Sequence, residues 1–454
     1  MGFEALQCLG AAGEVTGSGY ALKKSDGKIT LIDFGSFQGD EKNNQRNLVP
    51  PDIDINKIDA VIGTHPHVDH IGRWGYLRSL GYNGSFFLTE PAARIAPHIL
   101  NDAVKVTQSN GKPICSLEDV QGVVNNLRPV KYNVPTVIGG NLTTFYDAEH
   151  IIGSASVKIS EGRDGKGQSG VFSGDLGNHA SSIARPKGEI GQADWAVVED
   201  TYGGRQHPSE DPGQFFMEQI RHLKQHGTLL VSAFAQNGLQ KTLVALHKEH
   251  RAGRLNRDGE HIDVPIFVHA PLGMKITTEY LSPGIREYWS DEMNDLAKNP
   301  FYFPGVVFVD NTSMVRNYKG KKVVLASGGM CNGGPILGYL EEFAPDKDAV
   351  IMPVGYQGEE TRGRQLIDPN TRFIDFNDRA VPLRARVVQV KSMSSHADHP
   401  QLYDWLRKIQ GLQTVIFTHG DDPARDALEE SVHQGLNIWD THKPHFNDTI
   451  FLAA

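Results

Sequence analysis

The sequence predicts an α/β protein in which one domain is interrupted by the insertion of a second. Short apolar strands that end on Asp, His or Glu occur before about residue 204 and again after about residue 385. Between these stretches, apolar strands alternate with helical segments, as in a parallel α/β unit. The chain has 454 residues, which is too many for one ordinary core. We therefore expect residues 1–204 and 385–454 to form one domain around an inserted domain of residues 205–384.

The first part of the chain contains apolar strand patterns separated by turns and by helical patterns. The predicted strands cover residues 28–33, 60–63, 170–175 and 195–199, with a strand–turn–strand over 142–160. The predicted helices cover residues 72–80, 90–107 and 116–127. Most of these strands end directly before a polar side chain, so we expect several polar groups to meet at one edge of a sheet.

The middle of the chain alternates strands and helices more regularly. Helices are predicted over residues 211–225 and 238–250, and strands over 228–232, 265–269, 306–310, 323–326 and 349–352. After residue 385 the earlier pattern returns. A strand over 387–391 is expected to lead to His396, and a strand over 415–418 to lead to His419.

Composition restricts the class of protein. Hydrophobic residues make up 39% and charged residues 22% of the chain, which is typical of a globular protein. Three cysteines without CxxC spacing argue against a disulfide framework or a cysteine–zinc site and favour a reducing environment. No transmembrane-length apolar stretch and no basic secretion signal is visible, so we expect a cytoplasmic protein. The net charge of −9 argues against tight non-specific binding of polyanions, although bound cations would supply local positive charge.

The densest group of potential metal ligands is the segment Thr64-His-Pro-His-Val-Asp-His70. It follows the apolar run 59–63 and should form a loop at the end of a buried strand. Imidazole nitrogen and carboxylate oxygen suit Zn²⁺, and two ions together can hold and activate a water molecule. A chance cluster of surface histidines is the alternative, which the later potential ligands in the chain disfavour.

The segment resembles the H-x-H-x-D-H signature of the metallo-β-lactamase fold. The later features follow in an order similar to that of the β-CASP branch of nucleases: Asp33, His150, Asp175, Glu199, His396 and His419. Connecting segments resemble that branch as well: 10–18, 198–203, 327–335 and 355–365. The resemblance covers nearly the whole chain and extends to the endonuclease subunit of the cleavage and polyadenylation specificity factor and its prokaryotic homologues. It implies an αββα sandwich with an inserted α/β β-CASP domain.

The resemblance also implies a role for each of these residues. The first zinc ion would be bound by His65, His67 and His150, and the second by Asp69, His70 and His419. Asp175 would bridge both ions, and Asp33 would fix a ligand imidazole through a hydrogen bond. Glu199, His396 and Asp69 would be the catalytic residues. Strand alternation favours Glu199 over its neighbour Asp200, because the two side chains point in opposite directions.

Each of these assignments has a structural alternative. His150 could be a core histidine that caps a turn, Asp175 an ordinary turn aspartate, and Asp33 an N-cap or turn residue. His396 could be a plain loop histidine, and His419 a buried residue without a ligand. The neighbouring Asp398 and His399 are expected to be structural.

The activity implied by the resemblance is that of a zinc-dependent ribonuclease in RNA processing or decay, with two zinc ions per chain. Hydroxide held by the two metals would attack the phosphodiester, and His396, assisted by Glu199, would protonate the leaving ribose oxygen. The sequence does not distinguish endonuclease from 5′-exonuclease action. The expected partner is RNA, without a membrane, and a homodimer is an additional expectation.

Candidate RNA contacts lie in the predicted insert. The glycine-rich run could bring backbone amides to a phosphate at Ser327, Gly328 and Gly329, with a plain tight turn as the alternative. Arg362 and Arg364 are candidate phosphate contacts or members of a solvated loop. Leu239 occupies a place where relatives often carry an arginine, which weakens one further phosphate contact.

Three other functions remain compatible with parts of the pattern. A DNA-processing enzyme would share the metal ligands, although such relatives typically lack a histidine at the position of His419. A small-molecule metallohydrolase would explain residues 1–200 but not the insert. A non-catalytic RNA-processing scaffold usually loses metal ligands, and this chain retains every expected one.

Overall fold

The computed structural model describes residues 2–39, 41–109, 111, 113–253, 256–257, 260–261, 264–358, 361–376 and 379–452. The chain divides into two compact units. The first contains Met1–Gln206 and His396–Ala454, and the second contains His207–Ser395. The second unit is therefore inserted between two parts of the first.

The N-terminal part of the chain supplies strands β1–β11 and helices α1–α5. The strands are β1 (Phe3–Gly10), β2 (Gly19–Lys24), β3 (Ile29–Ile32), β4 (Ile58–Ile62), β5 (Phe86–Thr89), β6 (Leu127–Val130), β7 (Thr136–Ile138), β8 (Asn141–Asp147), β9 (Ala155–Ser160), β10 (Ser169–Phe172) and β11 (Trp195–Glu199). The helices are α1 (Glu41–Arg46), α2 (Val68–Ile71), α3 (Trp74–Ser79), α4 (Glu90–Ser109) and α5 (Leu117–Asn125). Short 3-10 turns lie at Ile55–Lys57 and His179–Ser181.

The second unit supplies β12–β21 and α6–α12. The strands are β12 (Thr228–Ala233), β13 (Asn256–Arg257), β14 (Glu260–His261), β15 (Ile266–His269), β16 (Val306–Phe308), β17 (Lys322–Ser327), β18 (Val350–Pro353), β19 (Phe373–Phe376), β20 (Arg379–Pro382) and β21 (Arg386–Val387). The helices are α6 (Pro212–His222), α7 (Gly238–Arg251), α8 (Pro271–Tyr280), α9 (Asp291–Leu296), α10 (Ser313–Asn317), α11 (Ile336–Phe343) and α12 (Arg362–Ile367), with a 3-10 turn at Arg286–Tyr288.

The C-terminal part of the chain returns to the first unit. Its elements are α13 (His399–Arg407), β22 (Thr414–Thr418), α14 (Asp422–Leu436), β23 (Asp440–His442) and β24 (Thr449–Phe451).

Two mixed sheets face each other in the first unit. Their strand orders are β24-β1-β2-β3-β4-β5-β6 and β23-β22-β11-β10-β9-β8-β7. Apolar side chains fill the space between them, with Phe3 packed edge-on against Trp195. Helices α3, α4 and α5 cover the first sheet around Trp74, and α13 and α14 cover the second around Trp405. The predicted αββα sandwich is confirmed.

The parallel strands of this sandwich bring their carboxyl ends together. In the first sheet β3 runs parallel to β4, and in the second β11 runs parallel to both β10 and β22. Glu199, the last residue of β11, pairs with Thr418, the last residue of β22. Polar residues that follow these strands therefore lie at one edge of the sandwich.

The second unit is built on a parallel sheet with the order β16-β15-β17-β12-β18-β21. The central strands β12, β17 and β18 are buried along their whole length, as expected for a parallel sheet inside an α/β layer structure. Leu230, Val324 and Ile351 belong to its core, together with Tyr339 of α11.

One predicted element is shorter than expected and belongs to a different sheet. The strand predicted over residues 387–391 is reduced to β21, which pairs with β18 at the edge of the second unit's sheet. Beyond β21 a single bridge joins Val390 to Val354. The apolar residues of this segment indicate burial, but a local pattern does not reveal which sheet they join.

Candidate metal centre

The predicted ligands lie at the carboxyl edge of the first unit. Asp33 follows β3, His65 and His67 lie in the loop after β4, and the other members follow further strands or begin helices. The buried side chains of this edge are Asp33, His65, His70, His150, Asp175, Glu199 and His419. The apolar strands before them act as rigid supports, which keeps the polar side chains close together.

One group of potential ligands surrounds an oxygen of Asp175. His65 Nε2 and His150 Nε2 each lie 3.5 Å from Asp175 Oδ2. His67 Nδ1 lies 2.9 Å from His65 Nε2 and 3.3 Å from His150 Nε2. One donor atom from each of these four residues falls within 4.8 Å of all the others, which is a suitable set for one metal ion.

A second group surrounds the other oxygen of Asp175. His70 Nε2 lies 3.2 Å and His419 Nε2 3.8 Å from Asp175 Oδ1. Asp69 Oδ2 is 3.7 Å from His419 Nε2. Asp175 thus turns one oxygen to each group, which is the arrangement that a bridging carboxylate requires.

The donor atoms of this second group fit a metal ion. His70 Nε2, Asp175 Oδ1 and His419 Nε2 are buried, and among the described residues no well-aligned hydrogen bond satisfies them, although His70 Nε2 and Asp175 Oδ1 lie 3.2 Å apart. Buried polar atoms without a partner are costly, so three of them that converge indicate a site for a cation.

The protonation states also suit metal binding. Burial holds the pKa of His65 well below its usual value and lowers that of His67 to about 4, so both imidazoles are neutral. Burial alone would lower the pKa of His70 too, but Asp175 and Asp33 outweigh it and raise that pKa well above its usual value. The carboxylates therefore require a positive charge here, which a metal ion can supply in place of a proton.

Asp33 and Thr64 fix the orientation of the ligand rings. His70 Nδ1 donates to Asp33 Oδ2 at 2.8 Å, which leaves Nε2 directed at Asp175. Thr64 donates to the same carboxylate from its backbone N, at 2.8 Å, and from Oγ1, at 2.9 Å. The hydrogen bond expected of Asp33 is therefore present.

Glu199 and His396 form a pair beside the metal ligands. His396 Nδ1 lies 3.1 and 3.0 Å from the two Glu199 oxygens, and Nε2 lies 3.8 Å from Asp175 Oδ2. Leu176 N and Thr201 N donate to Glu199 at 2.7 and 3.3 Å. Burial lowers the pKa of His396, but Glu199 and Asp175 outweigh it and raise the pKa to about 9. Without a bound cation, His396 therefore holds its proton at neutral pH.

The neighbour Asp200 has a different environment. Its side chain is fully buried, and a Cβ on Gly203 would lie 1.5 Å from its Oδ1. Burial and the charge of Glu199 raise the pKa of Asp200 well above its usual range. Of the two carboxyl groups, Glu199 is the one that contacts His396.

Two polar residues of the centre have left-handed backbone conformations. Asp33 has a φ of 54° and His419 a φ of 52°. Such conformations are unfavourable for residues other than glycine and cluster at functional sites. Each turn redirects the chain directly after a strand, which brings the side chain over the sheet edge.

Sequence reasoning missed three supporting residues. Thr64 contacts Asp33 and the imidazole rings of His65 and His70. Thr201 Oγ1 lies 3.0 Å from His419 Nδ1. Lys187 Nζ lies 2.8 Å from Glu149 Oε2. Glu149 directly precedes His150. Thr64 and Thr201 each lie within two residues of a predicted site residue, so adjacency was the signal that could have found them.

Comparison with known proteins identifies the family. The models "Metallo-beta-lactamase superfamily", "Beta-Casp domain" and "Zn-dependent metallo-hydrolase RNA specificity domain" match residues 12–202, 239–366 and 380–444. Ribonuclease TTHA0252 of Thermus thermophilus is 34% identical over 430 residues, which cover 92% of this chain and 94% of that protein. The chain belongs to the β-CASP family of metallo-β-lactamases.

Two further proteins are similar to this chain along most of its length. Transcription termination factor FttA of Methanosarcina mazei is 28% identical over 453 residues, covering 95% of this chain and 69% of that protein. A crystal structure of a protein of unknown function from Enterococcus faecalis has the same fold, with a TM-score of 0.58 at 12% identity, covering 99% of this chain and 100% of that one.

Among the described residues, no helix has the length and apolar character needed to cross a membrane.

The predicted RNA contacts lie in the β-CASP unit, residues 207–395, at the carboxyl edge of its sheet. Ser327 ends β17, and a Cβ on Gly328 would lie 2.2 Å from the Gly333 oxygen. A Cβ on Gly329 would lie 2.6 Å from the ring of Phe234. These glycines are therefore required for close packing of the turn itself.

The two candidate arginines differ. Arg362 donates from Nε to the Asp375 backbone oxygen at 2.6 Å and from Nη1 to the Asn332 backbone oxygen at 3.5 Å, which engages part of its guanidinium. Arg364 is exposed. Two residues of the connecting segment 355–365, Glu359 and Glu360, lie outside the described residues. Of the two arginines, Arg364 retains the more accessible positive charge.

Proposed function

We infer that the protein is a metal-dependent hydrolytic nuclease that acts on RNA, and we propose that its centre holds two zinc ions. The observation that carries this proposal is the convergence of two ligand groups on the two oxygens of Asp175. The named ribonuclease among the relatives, similar over almost the full length of both chains, supports RNA as the substrate.

We assign the two ion sites from the two groups. His65, His67 and His150 would hold the first zinc, and Asp69, His70 and His419 the second. Asp175 would contact both. When bound, the ions would lower the pKa of water toward neutrality and neutralise charge on the phosphate.

His396 is proposed as the acid for the leaving ribose oxygen. Its Nδ1 is occupied by Glu199, so the proton available for transfer is on Nε2, the nitrogen that faces the metal ligands. Glu199 is itself held by two backbone N–H groups and therefore keeps the ring in a fixed orientation. A positioned acid of this kind typically contributes a factor of about 10²–10⁴ to the rate.

Substrate binding on a chain of net charge −9 needs local positive charge. Two divalent ions would supply it at the cleavage site. In the β-CASP unit we propose Arg364, with the backbone of Ser327, Gly328 and Gly329 and what remains accessible of Arg362, as contacts for the RNA backbone. The resulting attraction should weaken as salt is raised.

The proposed site of action is the cytoplasm. Cys8, Cys115 and Cys331 are free thiols, which supports a reducing environment. A homodimer stays a prediction, and the mass measured by light scattering in solution tests it.

Cleavage of matched substrates tests the function. Zinc-loaded protein is incubated with one RNA labelled at the 5′ end, the same RNA labelled at the 3′ end, DNA of the same sequence, and a thioester. We expect cleavage of RNA only, and the two product ladders distinguish internal from end-directed cutting. Preferential cleavage of DNA or of the thioester would reject RNA as the substrate.

A further inference from the structure

Lys241 is a lysine buried inside the β-CASP unit. It lies in the first turn of α7, and only 3% of its surface is exposed. Lysine is almost never fully buried unless its ammonium group has specific partners. Its position therefore needs a structural reason.

The side chain of Lys241 binds the chain segment that leads to the proposed acid. Nζ donates to the backbone oxygen of Met393 at 3.1 Å and to that of Ser394 at 3.0 Å. Asn237, one turn earlier in the chain, donates from Nδ2 to Ser395 Oγ at 2.9 Å. These contacts fall on three consecutive residues.

His396 follows this segment directly and is anchored on its other side as well. Residues 391–395 lie outside the helices and strands, so their position depends on contacts of this kind. After the histidine, Ala397 N donates to the Leu176 oxygen at 2.7 Å. Within the second unit, α7 thus holds the residues that precede His396, and within the first unit Leu176 holds the residue that follows it.

We propose that Lys241 is a positioning residue for RNA cleavage, which acts by holding the Met393 and Ser394 carbonyls and thereby the place of His396. The proposal rests on the proposed function, because it requires His396 to be the proton donor. A displacement of about 1 Å at a reacting group can cost about 10²-fold in rate. Loss of these contacts should therefore slow the chemical step and leave substrate binding unchanged.

Replacement by methionine separates hydrogen bonding from packing. Burial lowers the pKa of Lys241 to about 7. Both the charged and the neutral amine have enough N–H groups for two carbonyls, so the contacts persist on either side of that pH. Methionine has a similar length and cannot donate, so Lys241→Met removes the two hydrogen bonds with little change in volume.

A double-mutant cycle with His396→Ala provides the test. We expect Lys241→Met to lower kcat for RNA by about 10- to 100-fold, with KM and zinc content unchanged. In the His396→Ala background the same substitution should cost less than about threefold, because there is no acid left to position. Lys322→Met is the matched control, since Lys322 is also buried in this unit and donates to the Tyr318 oxygen. It should leave kcat unchanged.

Each outcome decides the proposal. A Lys241→Met protein with full kcat, or with the same loss in both backgrounds, would overturn it. If that variant does not fold, Ser395→Ala removes the Asn237 contact and should lower kcat severalfold in the wild-type background only; no loss, or an equal loss in both backgrounds, would overturn the proposal. A His396→Ala single variant with the wild-type rate would instead reject the acid in the proposed function, independently of Lys241.

Discussion

The two units place their loops at the carboxyl ends of parallel strands, but these two edges differ in composition and packing. At the edge of the first unit, strands lead to histidines and carboxylates, and buried donor atoms such as His419 Nε2 have no hydrogen-bond partner among the described residues. At the edge of the β-CASP unit, β17 leads to a glycine turn that packs tightly on its own chain around Gly328 and Gly329. The first edge is suited to a cation, whereas the glycines of the second serve the packing of their own turn.

The two edges also differ in their charge, on a chain whose net charge is −9. The carboxylates of the first edge stabilise an added positive charge, as the raised pKa of His70 indicates. The second edge contributes an exposed arginine, Arg364, rather than a basic patch. Variants at each edge should therefore affect different properties.

The largest of these effects is expected for His396→Ala. Its kcat should fall by about 10²–10⁴-fold with zinc content unchanged, because the substitution removes the proton donor and no metal ligand. The wild-type rate should fall as pH rises through the pKa of His396, since only the protonated form is active. That pKa is about 9 without metal, and bound cations repel the proton, so this decline lies at or below pH 9. A pH–rate profile of both proteins checks this, and an identical decline in the variant would contradict it.

The next effect concerns the stability of the β-CASP unit. Gly328 has a φ of 119°, and an added Cβ would meet the Gly333 oxygen at 2.2 Å. We expect Gly328→Ala to destabilise this unit by about 2–4 kcal/mol in denaturant unfolding. Gly338→Ala is the control, because a Cβ there meets nothing within 4 Å and lies in α11. It should be neutral or stabilising by about 0.5–1 kcal/mol. Equal unfolding midpoints for the two variants would argue against a tightly packed turn.

A smaller effect is expected at Asp33, which contacts a ligand ring and not the ion. Asp33→Asn keeps the shape of the side chain. It replaces the charged carboxylate, which accepts a hydrogen bond from His70 Nδ1, by a neutral amide. Zinc affinity should fall by about 10- to 100-fold, as measured by competition with a chelator. The exposed Asp26→Asn is the control. A variant at residue 33 with unchanged affinity would remove Asp33 from the account of the metal centre.

The smallest effect is expected for Arg364→Ala. Removing one phosphate contact should raise KM for RNA severalfold without changing kcat, and the dependence of log KM on log salt should become shallower by about 0.7. Arg407→Ala, on the surface of the first unit, should change neither. If both arginine variants bind RNA like the wild type, the β-CASP edge does not contact the substrate through Arg364.

The sequence was sufficient to predict the parts of the molecule in which residue type and spacing are both unusual. The cluster from His65 to His70 could be found because few folds need such side chains after an apolar strand, whereas Asp175 and His419 were assigned through the resemblance to the β-CASP branch. Thr64, Thr201 and Lys241 could not be found in the same way, because threonine and lysine are common and their roles depend on contacts between distant segments.

The same limit applies to sheet membership and to the arginines. The residues around Val390 have an apolar pattern that any sheet could accept, and they join the sheet of the β-CASP unit. Arg362 and Arg364 are two residues apart and look equivalent in sequence. In the structure the two arginines have different environments: Arg362 donates to the Asp375 backbone oxygen, whereas Arg364 is exposed.

The central claim is that Asp175 joins two zinc sites that hydrolyse RNA. The most direct measurement is the zinc content per chain, by mass spectrometry after zinc loading and dialysis, together with RNA cleavage, for the wild type, Asp175→Asn and the exposed control Asp164→Asn. The account predicts two zinc ions and cleavage in the wild type and the control, and loss of zinc and of detectable cleavage in Asp175→Asn. An Asp175→Asn protein that keeps two zinc ions and cleaves RNA at the wild-type rate would contradict it.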